Sequence, residues 1–189
     1  TDEHSTTRFP PWLPHFVATA RHSASLVDFL IFHEGPMGAG DLPAAAQSAN
    51  VRFIDLGLGG IAGLVAKGMA NKLHLPAANS TALATRMRFM FSKWPRLVAE
   101  YKPAYGSVFA SYLTNYTHWG YSDLDIVFGH LASFVERAEL LEHHIVTYSF
   151  GDAEAIYLRG QWTVHQNLPN VNSIWTGCEH LGRGLQHEI

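Results

Sequence analysis

Trp119-Gly120-Tyr121-Ser122-Asp123-Leu124-Asp125-Ile126-Val127-Phe128-Gly129 sets two carboxylates one residue apart, between an aromatic, turn-like segment and a β-branched apolar run. In a strand, residues i and i+2 point to the same side, so Asp123 and Asp125 would converge on one divalent cation or one cation-bound phosphate. The apolar run predicts a strand over 125–128.

Working outward, Leu131, Phe134, Val135, Ala138 and Leu141 form a helical stripe downstream of the acidic pair. Ile145 to Tyr148 and Trp162 to Val164 read as strands, with a closing helix from about Val171. Upstream, Phe9, Trp12, Leu13, Phe16, Val17 and Ala20 have helical spacing, with prolines around the first turn. Leu26 to Phe32 reads as a buried strand ending at His33-Glu34-Gly35-Pro36, and Val51 to Leu56 as a second strand running into Gly57, Gly59, Gly60 and Gly63. Residues 82–98 and 105–112 carry helical patterns. Alternating helices and strands predict an α/β fold, a layered and mostly parallel sheet flanked by helices. No repeat or linker interrupts it, so 1–189 reads as a single domain.

Composition excludes several classes. The 189 residues are 47% hydrophobic and 15% charged, ordinary values for a globular core. Thirteen Lys+Arg against sixteen Asp+Glu give a net charge of -3, without the basic footprint that duplex binding needs, so nucleic acid is not an expected partner. No apolar run approaches the roughly 20 residues of a membrane span. The chain starts at Thr1, so a leader, an anchor or a first strand can precede it; the expected location is the Golgi or secretory-pathway lumen with such an anchor and the cytoplasm otherwise. The triplets Asn79-Ser80-Thr81 and Asn115-Tyr116-Thr117 would permit the former. Cys178 has no partner for an internal disulfide, and its spacing with Val171, Ile174, Trp175 and Leu181 reads as a core thiol on a helix face.

Two local likenesses compete for the chemistry. Phe53-Ile54-Asp55-Leu56-Gly57-Leu58-Gly59-Gly60 resembles the strand-to-loop signature of S-adenosylmethionine-dependent methyltransferases and, more loosely, a dinucleotide fingerprint. Ile61 replaces the third glycine, and no Asp or Glu occurs from Leu56 to Ala99 to hold a ribose. The plain alternative is a turn with close helix packing. Asp123-Leu124-Asp125-Ile126-Val127 also resembles the first motif of haloacid dehalogenase-type phosphatases, but no Lys follows Lys102.

A third resemblance covers nearly the whole chain. Tyr101-Lys102-Pro103-Ala104-Tyr105-Gly106, then Trp119 to Gly129, then Gly160-Gln161-Trp162-Thr163-Val164-His165-Gln166-Asn167 are similar in order and spacing to D-x-K-P-x-x-G, W-G-x-x-D-L-D-x-x-x-G and G-x-F-x-x-x-x-N. These are patterns of a little-characterised family of GT-A-type glycosyltransferase-like proteins.

That resemblance implies a Rossmann-like GT-A domain that uses Mn²⁺ or Mg²⁺ to hold the diphosphate of a nucleotide-sugar donor. It implies Asp125 as the main cation ligand, Asp123 at the cation or donor ribose, Lys102 near the nucleotide, and Gly160 to Asn167 as the far wall. His165 is a candidate third ligand, since imidazole joins carboxylates in metal sites; the plain alternative is a strand histidine facing solvent. Asp152 and Glu154 are candidates for acid/base work or acceptor contact. Tyr112, Tyr116, Trp119 and Tyr121 are rings for stacking on sugar or base, or else core. His143, His144, His180 and His187 read as surface residues.

Two departures stand out. Glu100-Tyr101 precedes Lys102 where the family has Asp, and the polar Thr1 to Arg8 cannot supply the expected first strand, so the domain would lack it or be N-terminally truncated. The expected activity is sugar transfer to an unidentified glycan, protein or lipid acceptor. The alternative is the same fold as a non-catalytic carbohydrate-binding or assembly module.

Overall fold

A computed structural model describes residues 9–37, 48–148 and 158–178. The chain forms two compact units, Thr1–Ile61 with Ser122–Leu141, and Ala62–Tyr121 with Glu142–Ile189. The architecture is mixed α/β, with one parallel strand pair and one three-stranded sheet among the described residues.

In the first unit, helix α1 (Leu13–Ala20) buries Leu13, Phe16, Val17 and Ala20, one face at the predicted spacing. Pro14 lies in its first turn, where a missing N–H removes no helical bond. Strands β1 (Phe29–His33) and β2 (Val51–Asp55) pair in parallel, Phe29 opposite Val51 and His33 opposite Asp55. Phe16, Phe29 and Phe128 pack edge-on or tilted at centroid separations of 4.9 to 5.4 Å. Ser23 binds the 129–131 segment twice: its hydroxyl donates to the Gly129 carbonyl at 3.2 Å and accepts from the Leu131 amide at 3.1 Å.

The second unit holds most of helix α2 (Gly60–Lys72) and all of α3 (Ala77–Lys93). A 3-10 stretch, Pro95–Ala104, leads into the short α4 (Tyr105–Val108). Strands β3 (His118–Ser122), β4 (Ile145–Thr147) and β5 (Trp162–Gln166) form a sheet in the order β3-β5-β4. The β4 and β5 strands run antiparallel, so the second sheet departs from the mostly parallel sheet expected.

Several local expectations are corrected. Residues 125–128 are not a strand: β3 ends at Ser122, and Leu124 and Asp125 form a turn. A strand needs a partner ladder for its amides, and here Phe128 instead donates its amide to the Thr19 hydroxyl at 3.2 Å. The stripe from Leu131 to Leu141 breaks into a 3-10 turn, Leu131–Ser133, and a short helix α5 (Arg137–Glu142) that buries nothing. The closing helix is only α6 (Pro169–Asn172), followed by a 3-10 turn, Ile174–Gly177. Because no single helix face links Val171 to Cys178, Cys178 is exposed, not a core thiol. The expectations at Thr1 to Arg8, Asp152, Glu154, His180 and His187 lie outside the described residues.

Candidate functional site

Lys102, near the end of the 3-10 stretch, donates its ammonium to the Gly160 carbonyl at 2.7 Å and stands 5.5 Å from the Tyr121 ring centroid. One side chain of the Lys-Pro segment thus touches both other segments singled out in the sequence. Burial pushes the Tyr121 phenol up from its ordinary pKa, and a hydrogen bond with Thr163 partly offsets this.

Beneath that contact is a polar knot. The Trp119 indole N–H donates to Asn172 Oδ1 at 2.6 Å, and Asn172 Nδ2 donates to Asn167 Oδ1 at 2.7 Å. Asn167 Nδ2 in turn serves the carbonyls of Leu113 and Tyr116 at 2.8 and 2.9 Å. Gly106 is required where it stands, since a Cβ there would lie 2.6 Å from the Trp119 ring and 2.7 Å from Asn172 Oδ1. Gly120 likewise approaches the Thr163 carbonyl, 2.6 Å from where its Cβ would sit. These motif residues therefore have a structural use, which is to lock the sheet to the segment after β5.

His165 belongs to this packed layer. Along β5, Thr163 and His165 point inward, and the imidazole has no exposed surface. It lies flat on Trp119, centroids 4.1 Å apart and planes 4° apart, with Tyr121 tilted at 5.8 Å. Neither ring nitrogen has a hydrogen-bond partner, and burial lowers its pKa to about 4, so the ring is neutral at pH 7. The solvent-facing alternative for this histidine is overturned. Trp119 and Tyr121 are themselves buried, while Tyr112 and Tyr116 are half-buried.

Asp123 is half-buried and Asp125 exposed, the latter in the turn after β3. Among the described residues no three His, Cys, Asp or Glu side chains gather into a group able to hold an ion. Because β3 ends at Ser122 and Asp125 lies in a turn, the strand alternation expected to aim Asp123 and Asp125 to one side does not apply to this pair. His165, the expected third ligand, is sealed against Trp119.

The glycine loop after β2 has its amides taken internally. Asp55 accepts from the amides of Gly35 and Gly57 at 3.1 and 2.8 Å, and Glu34 from those of Gly59 and Ile61 at 3.1 and 2.8 Å. A carboxylate of the chain itself thus occupies the N-terminal end of α2, where a cofactor phosphate would otherwise bind. Sequence reasoning did not single out Glu34 or Asn172; a carboxylate just past β1 is the only signal that pointed to the former.

A hollow of about 280 Å³ is lined by Tyr148, Arg159, Gln161 and Trp162, with Arg159 and Gln161 on either side of Gly160 in the chain. Its lining combines two aromatic rings with a guanidinium and a side-chain amide.

Comparison with known families places residues 85–184, just over half of the chain, in a family of unknown function, DUF6625. The chain belongs to DUF6625. The matched span of this DUF6625 member contains Lys102, the Trp119 to Gly129 segment and the Gly160 to Asn167 segment. No curated protein and no solved structure matches the chain.

Proposed function

We propose that this DUF6625 chain is a GT-A-like glycosyltransferase domain that moves a sugar from a nucleotide-sugar donor to a glycan, protein or lipid acceptor. The meeting of three sequence segments at Lys102, through the Gly160 carbonyl and the Tyr121 ring, carries this reading. A Mn²⁺ or Mg²⁺ held by Asp123 and Asp125 would offset the charge that develops on a departing nucleoside diphosphate. Lys102 holds the Gly160 segment in place through that carbonyl. The buried Tyr121 supports the lysine from below.

Calorimetry with a panel of nucleoside diphosphates, with and without Mn²⁺, tests the reading, together with slow donor hydrolysis. Cation-dependent binding abolished by Asp125→Ala supports it; nucleotide binding indifferent to both cation and mutation removes it. The hollow at Tyr148, Arg159, Gln161 and Trp162 favours a second reading, a carbohydrate-binding module without catalysis. Glycan binding lost in Trp162→Ala, with no nucleotide bound under any condition, would select the module.

A further inference from the structure

We propose that the C-terminal end of α3 docks the protein on an anionic lipid surface. This is independent of the donor chemistry.

Helix α3 turns Leu83, Met87 and Phe91 inward. Arg86, Phe89 and Lys93, at i, i+3 and i+7, lie on the opposite side, and all three are exposed. Phe89 is 61% exposed and the following Trp94 51%, far more than a globular surface needs from two large rings placed so close together. Lys93 ties them: its ammonium is 5.8 Å from the Phe89 centroid and 4.5 Å from that of Trp94. Arg88 and Arg96, also exposed, extend the charge on either side.

Charge selects the occupant. From Leu56 to Ala99 the sequence has Lys67, Lys72, Arg86, Arg88, Lys93 and Arg96 and no Asp or Glu, although the whole chain is net negative at -3. Cations flanking exposed Trp and Phe match the boundary between anionic headgroups and acyl chains, where rings enter the apolar layer and the charges stay with the phosphates. No described helix is long and apolar enough to cross a membrane, so this contact would be peripheral.

Co-sedimentation of the full chain with phosphatidylcholine vesicles containing phosphatidylserine tests the proposal. Binding is expected to those vesicles and not to phosphatidylcholine alone, and to weaken with salt. Lys93→Ser and Arg96→Ser should each lower the partition about fivefold, and Phe89→Ser about tenfold. These side chains are exposed, so urea unfolding should report a folded variant in each case, and Arg137→Ser on α5 serves as the unaffected control. Equal binding to both vesicles overturns the proposal, as does full binding by Phe89→Ser with Trp94→Ser. So does tighter binding to an oligonucleotide at the same salt, or self-association in the ultracentrifuge that Phe89→Ser abolishes, which would assign the face to a second copy.

Discussion

His165 lies parallel to Trp119, ring centroids 4.1 Å apart, with both imidazole nitrogens buried and unpartnered. A buried imidazole in that state resists protonation, because a charged ring there would have neither water nor an acceptor.

Stability should therefore depend on pH through this residue. Its folded pKa of about 4 lies below the ordinary 6.5, so between those values the unfolded chain binds the extra proton. Above pH 6.5 the ring is neutral in both states and has no effect. As pH falls from 6.5 to 4 stability is lost, by at most about 3 kcal/mol, and the loss levels off below 4. His165→Phe keeps the stacked ring and should flatten the dependence of the urea midpoint on pH across that window.

The Trp119, Asn172 and Asn167 chain should resist truncation. Asn172→Ala strands the indole N–H and the Asn167 carbonyl oxygen together, a loss of about 2–4 kcal/mol that urea unfolding will register. Trp119→Phe removes the need for that acceptor and should be milder than Asn172→Ala.

Two alanine substitutions should have opposite signs. Gly106→Ala drives a methyl into the Trp119 ring and should destabilise by about 1–3 kcal/mol. Gly63→Ala, inside α2 with open space where its Cβ would go, should stabilise by about 0.5–1 kcal/mol. Thermal melts of both proteins suffice.

Removal of the Glu34 charge tests the closure of the glycine loop. Glu34→Gln weakens the acceptor for the Gly59 and Ile61 amides and should lower stability by about 1 kcal/mol in urea. No gain in S-adenosylmethionine binding is expected from a thermal-shift screen of the variant.

Asp125→Ala should leave the urea midpoint almost unmoved, within about 0.5 kcal/mol, since the side chain is exposed. Any loss of cation-dependent nucleotide binding in that variant then reports the site and not the fold.

Much of the first unit was legible along the chain. The face of α1 follows from the spacing of Leu13, Phe16, Val17 and Ala20, and β1 and β2 from short apolar runs bounded by turn residues. Reading failed where a pattern had no partner. The 125–128 run has strand composition but spends an amide on Thr19, more than a hundred residues away in sequence. The stripe through Phe134 and Leu141 has helical spacing, yet both residues are exposed.

By itself the sequence determined α1, β1 and β2, the acidic pair one residue apart, the solitary cysteine and the carboxylate-free basic stretch, because periodicity, spacing and charge are properties of neighbours along a chain. Only the tertiary structure decided that β4 and β5 run antiparallel, that Cys178 is exposed, that His165 is sealed against Trp119, and that Lys102 reaches Gly160. Those outcomes rest on hydrogen bonds and ring contacts between residues far apart in sequence, where burial and polar satisfaction decide among arrangements that local propensity leaves equal.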